Sequence, residues 1–259
     1  MASLREQALV PLLQPHAVEK AQLTLAIDLS VPVGADLVVP RPEGIPGRPA
    51  LPALVPFNRI KQFPLDTPKG RAALLHSITH IELNAIDLAL DIVWRFANMP
   101  EAFYIEWMTI AKEEAKHFLL LRNHLVTLGF DYGDFDAHNA LWDMAERTSG
   151  DLLARIALVP RTLEARGLDA SPAVRTKLIS VGDHRAGEIL EVILRDEIGH
   201  VACGNRWYRY LCRQRGLDPV AHYAELTVEY DAPTLRPPFN IEARRQAGFE
   251  QSELDALIR

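Results

Sequence analysis

The 259-residue chain has only two cysteines, Cys203 and Cys212. Nine positions apart, they exclude a disulfide framework, a cysteine-rich zinc module and a CxxC iron module. No apolar run approaches the roughly 18 residues of a membrane span. The opening MASLREQALVPLLQPHAVEK lacks the basic-then-apolar order and small-residue cleavage site of a signal peptide. The expectation is a cytoplasmic protein without membrane association. Alternating period-two stretches and Asn-Gly or Asp-Gly hairpin turns are missing, which argues against sheet structure. Glycine-rich phosphate loops, nucleophile elbows and flavin or nicotinamide motifs are missing as well.

What is there suits a folded, helical protein. The chain is 48% hydrophobic and 24% charged, with a formal net charge of −6. That is enough apolar material for a core, and the acidic balance disfavours indiscriminate polyanion binding. Nine of the 18 prolines fall between Pro32 and Pro68, so this stretch cannot stay helical. It still holds Leu37, Val38, Val39, Leu51, Leu54, Val55 and Phe57. We therefore expect an extended arm strapped to the body by these residues, the alternative being a loose tail.

Thr67-Pro68 reads as an N-cap and first helical residue. Helical spacing then runs to about residue 97, where Asn98-Met99-Pro100 stops it, and again from 101 to Gly129. A short helix is expected around 138–147. A third long helix starts near 151 and closes at Gly167; Ser171-Pro172 opens another stretch, with Gly182-Asp183 a candidate break before it continues to Gly216. The reading is all-α. Residues 1–66 form N-terminal helices and a proline-rich arm, 67–216 a four-helix bundle, and 217–259 a C-terminal extension folded back on it.

Two E-x-x-H strings carry the chemistry: Glu114 to His117 and Glu197 to His200. Residues three apart share a helix face, so each string aims a carboxylate and an imidazole the same way. Glu82 and Glu164, each on an otherwise apolar face, supply a glutamate from the other two helices. A glutamate so placed needs a partner, because an unpaired buried charge is expensive. The midpoint of Glu82 and Glu114 is residue 98, in the expected turn. Each then lies about 24 Å along its helix, level with the other. Glu82 precedes Glu114 by 32 residues and Glu164 precedes Glu197 by 33, so "Glu, then ExxH" occurs twice.

Four glutamates and two histidines converging in one bundle make a carboxylate-bridged site for two metal ions. Glu82 and Glu164 would be terminal ligands, Glu114 and Glu197 bridges, and His117 and His200 would each cap one ion. Iron and manganese both suit this donor set. Asp196 and Glu113, just before the motif glutamates, are candidates for holding the outer nitrogens of the ligating histidines. Trp107, Phe118, Gly204 and Tyr208 lie on the motif faces, where they either line a pocket or fill the bundle. Residues 206–215 interleave Arg206, Arg209, Arg213 and Arg215 with Trp207, Tyr208 and Tyr210. They read either as an RNA-contacting strip or as a solvated helix end whose arginines pair with acids.

With these residues the chain resembles the ferritin-like superfamily of di-iron carboxylate proteins. HIELNAIDLALD, KEEAKHFLLL, LVPRTLEARGLD, ILRDEIGHVACGNRWY and PPFNIEARRQAGF resemble an uncharacterised bacterial ferritin-like family similar to the tRNA hydroxylases of isopentenyl-adenosine. The likeness runs from about residue 10 to 249. It implies a di-iron oxidoreductase that activates dioxygen or peroxide, oxidises a small or nucleoside-like substrate and draws electrons from an external donor, with tRNA as a conceivable partner. A ferroxidase or peroxide scavenger, and a structural protein stabilised by its metals, are the alternatives. Oligomeric state is not legible.

Overall fold

A computed structural model describes residues 2–258, and no β-strand occurs among them. The twelve α-helices of the described residues are α1 (Leu4–Gln7), α2 (Leu9–Leu13), α3 (Ala17–Ala26), α4 (Pro68–Arg95), α5 (Glu101–Thr127), α6 (Ala140–Arg147), α7 (Leu152–Leu158), α8 (Ala165–Ser180), α9 (His184–Arg215), α10 (Pro219–Glu229), α11 (Ile241–Gln246) and α12 (Gln251–Ile258). The chain divides into two units, one ending at Trp142 and one beginning at Asp143. No helix of the described residues is long and apolar enough to cross a membrane.

In the first unit α4 and α5 form a long antiparallel hairpin against which α3 packs. The start of α4 follows the sequence: the Thr67 hydroxyl accepts from the Gly70 amide at 3.0 Å, and Pro68, which has no N–H to satisfy, sits just inside. At the other end Arg5, fully buried, donates to the carbonyls of Val93 (3.0 Å) and Trp94 (2.7 Å). A cation there satisfies carbonyls that the helix leaves open and complements its dipole. The turn is closed by the Tyr104 hydroxyl, which accepts from the Met99 amide at 3.0 Å and donates to the Phe96 carbonyl at 2.9 Å.

The proline-rich arm is attached differently from the expectation. Leu37, Val38, Leu51, Leu54 and Phe57 are exposed, Val38 to 85%. Polar anchors hold the arm instead. Lys20, itself buried, pairs with Asp87 of α4 and donates to the Gly47 carbonyl at 2.9 Å. The Gly47 amide donates to the Leu12 carbonyl at 2.7 Å, and a Cβ at Gly47 would lie 2.1 Å from the Leu13 oxygen, so only glycine fits. Further on, Leu54 and Ala137 form an isolated parallel bridge. Prolines deny the arm a ladder of its own, so its remaining backbone groups seek the body.

In the second unit α7 passes into a π-helical turn, Val159–Glu164, at Pro160. Proline cannot donate to the carbonyl four residues back, and the helix widens there. The unit then departs from the sequence reading: Gly167 closes nothing and Ser171-Pro172 opens nothing, because α8 runs unbroken through both. Pro172 leaves the Leu168 carbonyl without its usual donor. The Asn240 side-chain amide supplies one at 3.2 Å. Arg244, buried, pairs with Asp169 one residue further along. Around these polar ties Leu168, Val201, Ala243, Phe249 and Leu254 form a core of their own. The tail is therefore mostly helical, α10 to α12, and the part after residue 239 mends the helix it covers. Helix α9 starts on the Asp183 N-cap and stops at Gly216, whose φ of +67° only glycine adopts cheaply.

Candidate metal centre

In the first unit the hairpin register brings Glu82 from α4 against Glu114 and His117 from α5. His117 Nδ1 lies 3.2 Å from Glu82 Oε2 and 3.3 Å from Glu114 Oε2. All three side chains are buried, with residue exposures of 4%, 2% and 1%. Each contributes a ligand atom within 4.8 Å of the others. Donor atoms about 2.1 Å from one ion, at right angles to each other, are about 3 Å apart, close to the separations observed.

The electrostatics also call for a cation. Burial, and then the neighbouring Glu114 charge, raise the Glu82 carboxyl to about 7 against the pull of His117. Burial would lower the His117 imidazole, but its hydrogen bonds to Glu114 and Glu82 outweigh it and raise the group to about 11. A proton on His117 thus does the work that a metal would do. Two buried carboxylates beside one imidazole are costly to leave uncompensated where water is excluded, and a proton or a metal ion relieves that cost.

In the second unit Glu197 and His200, both buried, repeat the local geometry: His200 Nδ1 is 3.3 Å from Glu197 Oε1. Glu164 ends the π-helical turn and is half-buried. Asp196 is half-buried and pairs with its neighbour Arg195 at 2.9 Å, and Glu113 is half-buried on α5. The aromatic and glycine candidates are packed. Trp107 and Phe118 are buried, Trp107 against Phe103 at 6.3 Å between ring centres and Phe118 edge-on to Tyr132 at 5.5 Å. A Cβ at Gly204 would touch Pro160 at 3.3 Å, and the Tyr208 hydroxyl donates to the Pro219 carbonyl at 2.8 Å. Within 206–215, Arg209 pairs with Glu253 (3.2 Å) and Arg215 with Asp151 (3.1 Å).

The family model described as "Protein of unknown function (DUF455)" matches residues 13–255. The chain belongs to that family. An "Uncharacterized protein" of Haemophilus influenzae (strain ATCC 51907 / DSM 11121 / KW20 / Rd) is 46% identical over 225 residues, covering 84% of this chain and 78% of the relative. No solved structure matches. All six proposed ligands lie within the matched DUF455 segment.

Helix α4 carries two further buried histidines. His80 is buried; its Nε2 faces the His138 carbonyl at 3.0 Å, and its Nδ1 lies 2.7 Å from the Tyr132 hydroxyl. His76, fully buried, accepts from the Gly133 amide at 2.9 Å and stacks on Tyr132 at 5.2 Å between ring centres. Burial holds both imidazoles neutral, lowered to about 4. The signal was present in the spacing: His76, His80 and Asn84 recur every four residues along one helix face.

Proposed function

We propose that this chain is a ferritin-like dinuclear metal protein, a four-helix bundle in which both halves of the repeated ligand pattern hold two ions, iron in preference to manganese. Glu82 and Glu164 would be terminal ligands, Glu114 and Glu197 would be shared by the two ions, and His117 and His200 would each hold one. Four carboxylates balance two divalent cations, which removes the cost of burying them. The bound metals supply redox chemistry with dioxygen or peroxide; the reaction is oxidation of a small or nucleoside-like substrate, with electrons from an external donor. The chain's own residues keep water away, fix the donor atoms and release the His117 proton as the ion enters.

One observation carries this reading: Glu82, Glu114 and His117 converge in a buried cluster at coordination spacing. A second reading, a ferroxidase, a peroxide scavenger or a metal-stabilised protein without organic substrate, draws support from the packing of Gly204 against Pro160 and of Tyr208 against Pro219. Metal analysis of the full chain tests the common part. Close to two iron ions per chain are expected, and none in Glu114→Ala/His117→Ala. A metal-free wild type, or metal retained by the double variant, overturns it. Anaerobic reduction followed by oxygen stopped-flow, with and without candidate substrates, separates the two readings.

A further inference from the structure

A second site lies in the first unit. A surface groove of about 570 Å³ opens between two stretches of chain, residues 60–77 and 129–136. Its size falls in the range, roughly 300–1,000 Å³, of sites that hold small organic molecules.

Three phenylalanines line it. Phe135 stands edge-on to Phe63, 6.0 Å between ring centres, and is tilted 40° to Phe130 at 5.3 Å. All three are half-buried, so a cluster of rings keeps part of its surface in water. Clustered apolar surface in a concavity is costly to leave wet, and aromatic faces are sequence-tolerant platforms for flat rings.

Charge is divided across the groove. The 60–77 wall carries Lys61 and Lys69; the 129–136 wall carries Asp134 and Asp136. Lys69 is held 4.6 Å above the Phe63 ring. Among the described residues neither lysine has a carboxylate within ion-pair distance, although both aspartates line the same groove. Asp134 is turned aside: its carboxylate accepts from the Asp131 amide at 2.8 Å. An apolar guest would leave the ammonium groups unmatched, and a bare anion would leave the rings wet.

We propose that this groove binds a flat aromatic molecule carrying an anionic group and at least one N–H or O–H donor. The ring system lies on Phe63, Phe130 and Phe135. The anion faces Lys61 and Lys69, and the donor faces Asp136. The site is distinct from the carboxylate–imidazole cluster and does not depend on whether that cluster holds metal.

Two sources share this chemistry, mononucleotides and simple aromatic acids. The test uses one probe for each, flavin mononucleotide and 6-hydroxy-2-naphthoate, titrated by fluorescence into the full chain with EDTA present. Saturable binding of either, at one per chain, is expected, and the probe that binds names the source. Riboflavin, which lacks the phosphate, and inorganic phosphate, which lacks the ring, should each bind about tenfold or more weakly. So should the probe to Lys61→Gln/Lys69→Gln, whose exposed changes leave melting unaltered, and to Phe63→Ser. The proposal is overturned if neither probe saturates, if phosphate alone matches the better probe, or if both variants bind like the wild type.

Discussion

The hairpin of α4 and α5 and the hairpin of α8 and α9 carry the same ligand pattern on different backbones. In both, the ExxH string closes on itself alike, 3.3 Å from imidazole to carboxylate in each. The lone glutamates differ. Glu82 sits in the regular interior of a long helix and reaches His117 across a short turn. Glu164 ends a π-helical turn that begins beside Pro160, before a helix that runs on with a further proline inside it. A motif confined to one helical turn fixes its own geometry. A ligand supplied by a different helix depends on everything that sets the register between the two.

Removing ligands breaks this comparison most sharply. Glu114→Ala should abolish metal binding, a loss of at least about 100-fold in affinity, whereas Glu164→Ala should keep one ion; inductively coupled plasma analysis after dialysis reads both. Equal losses would mean that the two halves are held alike.

Each unit also contains a buried ion pair, Lys20 with Asp87 and Arg244 with Asp169. Lys20→Met strands the buried Asp87 carboxylate, expected to cost about 3–5 kcal/mol in denaturant unfolding, whereas Arg244→Met should cost less, because Asp169 keeps Arg166 at 2.8 Å and the Asn240 amide at 2.9 Å. Lys20→Met should loosen the arm as well, seen as faster amide exchange near Gly47.

Acid should separate the units next. His76 and His80 are lowered to about 4 in the folded first unit but take up protons near 6.5 when it unfolds. Between those values the two histidines bind more protons in the unfolded chain, so they lose stability as pH falls from about 6.5 toward 4, by at most roughly 3 kcal/mol each, offset in part by Glu82, whose raised carboxyl gains stability over nearly the same range. Hydrogen exchange at pH 5 should show the first unit opening before the second.

Metal uptake sharpens the picture further. His117, raised to about 11, holds a proton at neutral pH that an incoming ion must displace. Affinity should rise about tenfold per pH unit around pH 7.5, with about one proton released per ion at this half, measured by calorimetry in buffers of different ionisation enthalpy. The smallest effect is expected from Asn240→Ala, about 1–2 kcal/mol, because it leaves the Leu168 carbonyl without its donor.

Much of this was legible in the sequence where the signal was local. Thr67-Pro68, Asn98 to Pro100, Asp183 and Gly216 mark helix ends through chemistry within a few residues, and the structure ends its helices within two or three residues of them. The same locality made both ExxH strings readable, and the 98 midpoint placed Glu82 opposite Glu114. Gly167 and Pro172 misled because their remedy lies about 70 residues away, in Asn240 and Arg244. The apolar residues of the arm misled because hydrophobicity says what burial would gain, not whether a surface is offered; the arm is fastened through carbonyls and Lys20 instead. The partners of His76 and His80 were not legible, because the loop that supplies them, residues 131–138, has no helical period to align it with α4.

Asn240 does two jobs at once: its amide nitrogen completes α8 at Leu168, and its oxygen accepts from the Ala243 amide to start α11. One side chain thus splices two helices that are remote in the chain. Pro172 and Asn240 should therefore be exchanged together or not at all: with alanine at 172 the splice becomes redundant for α8, and a chain cut before residue 240 inherits the proline without its remedy.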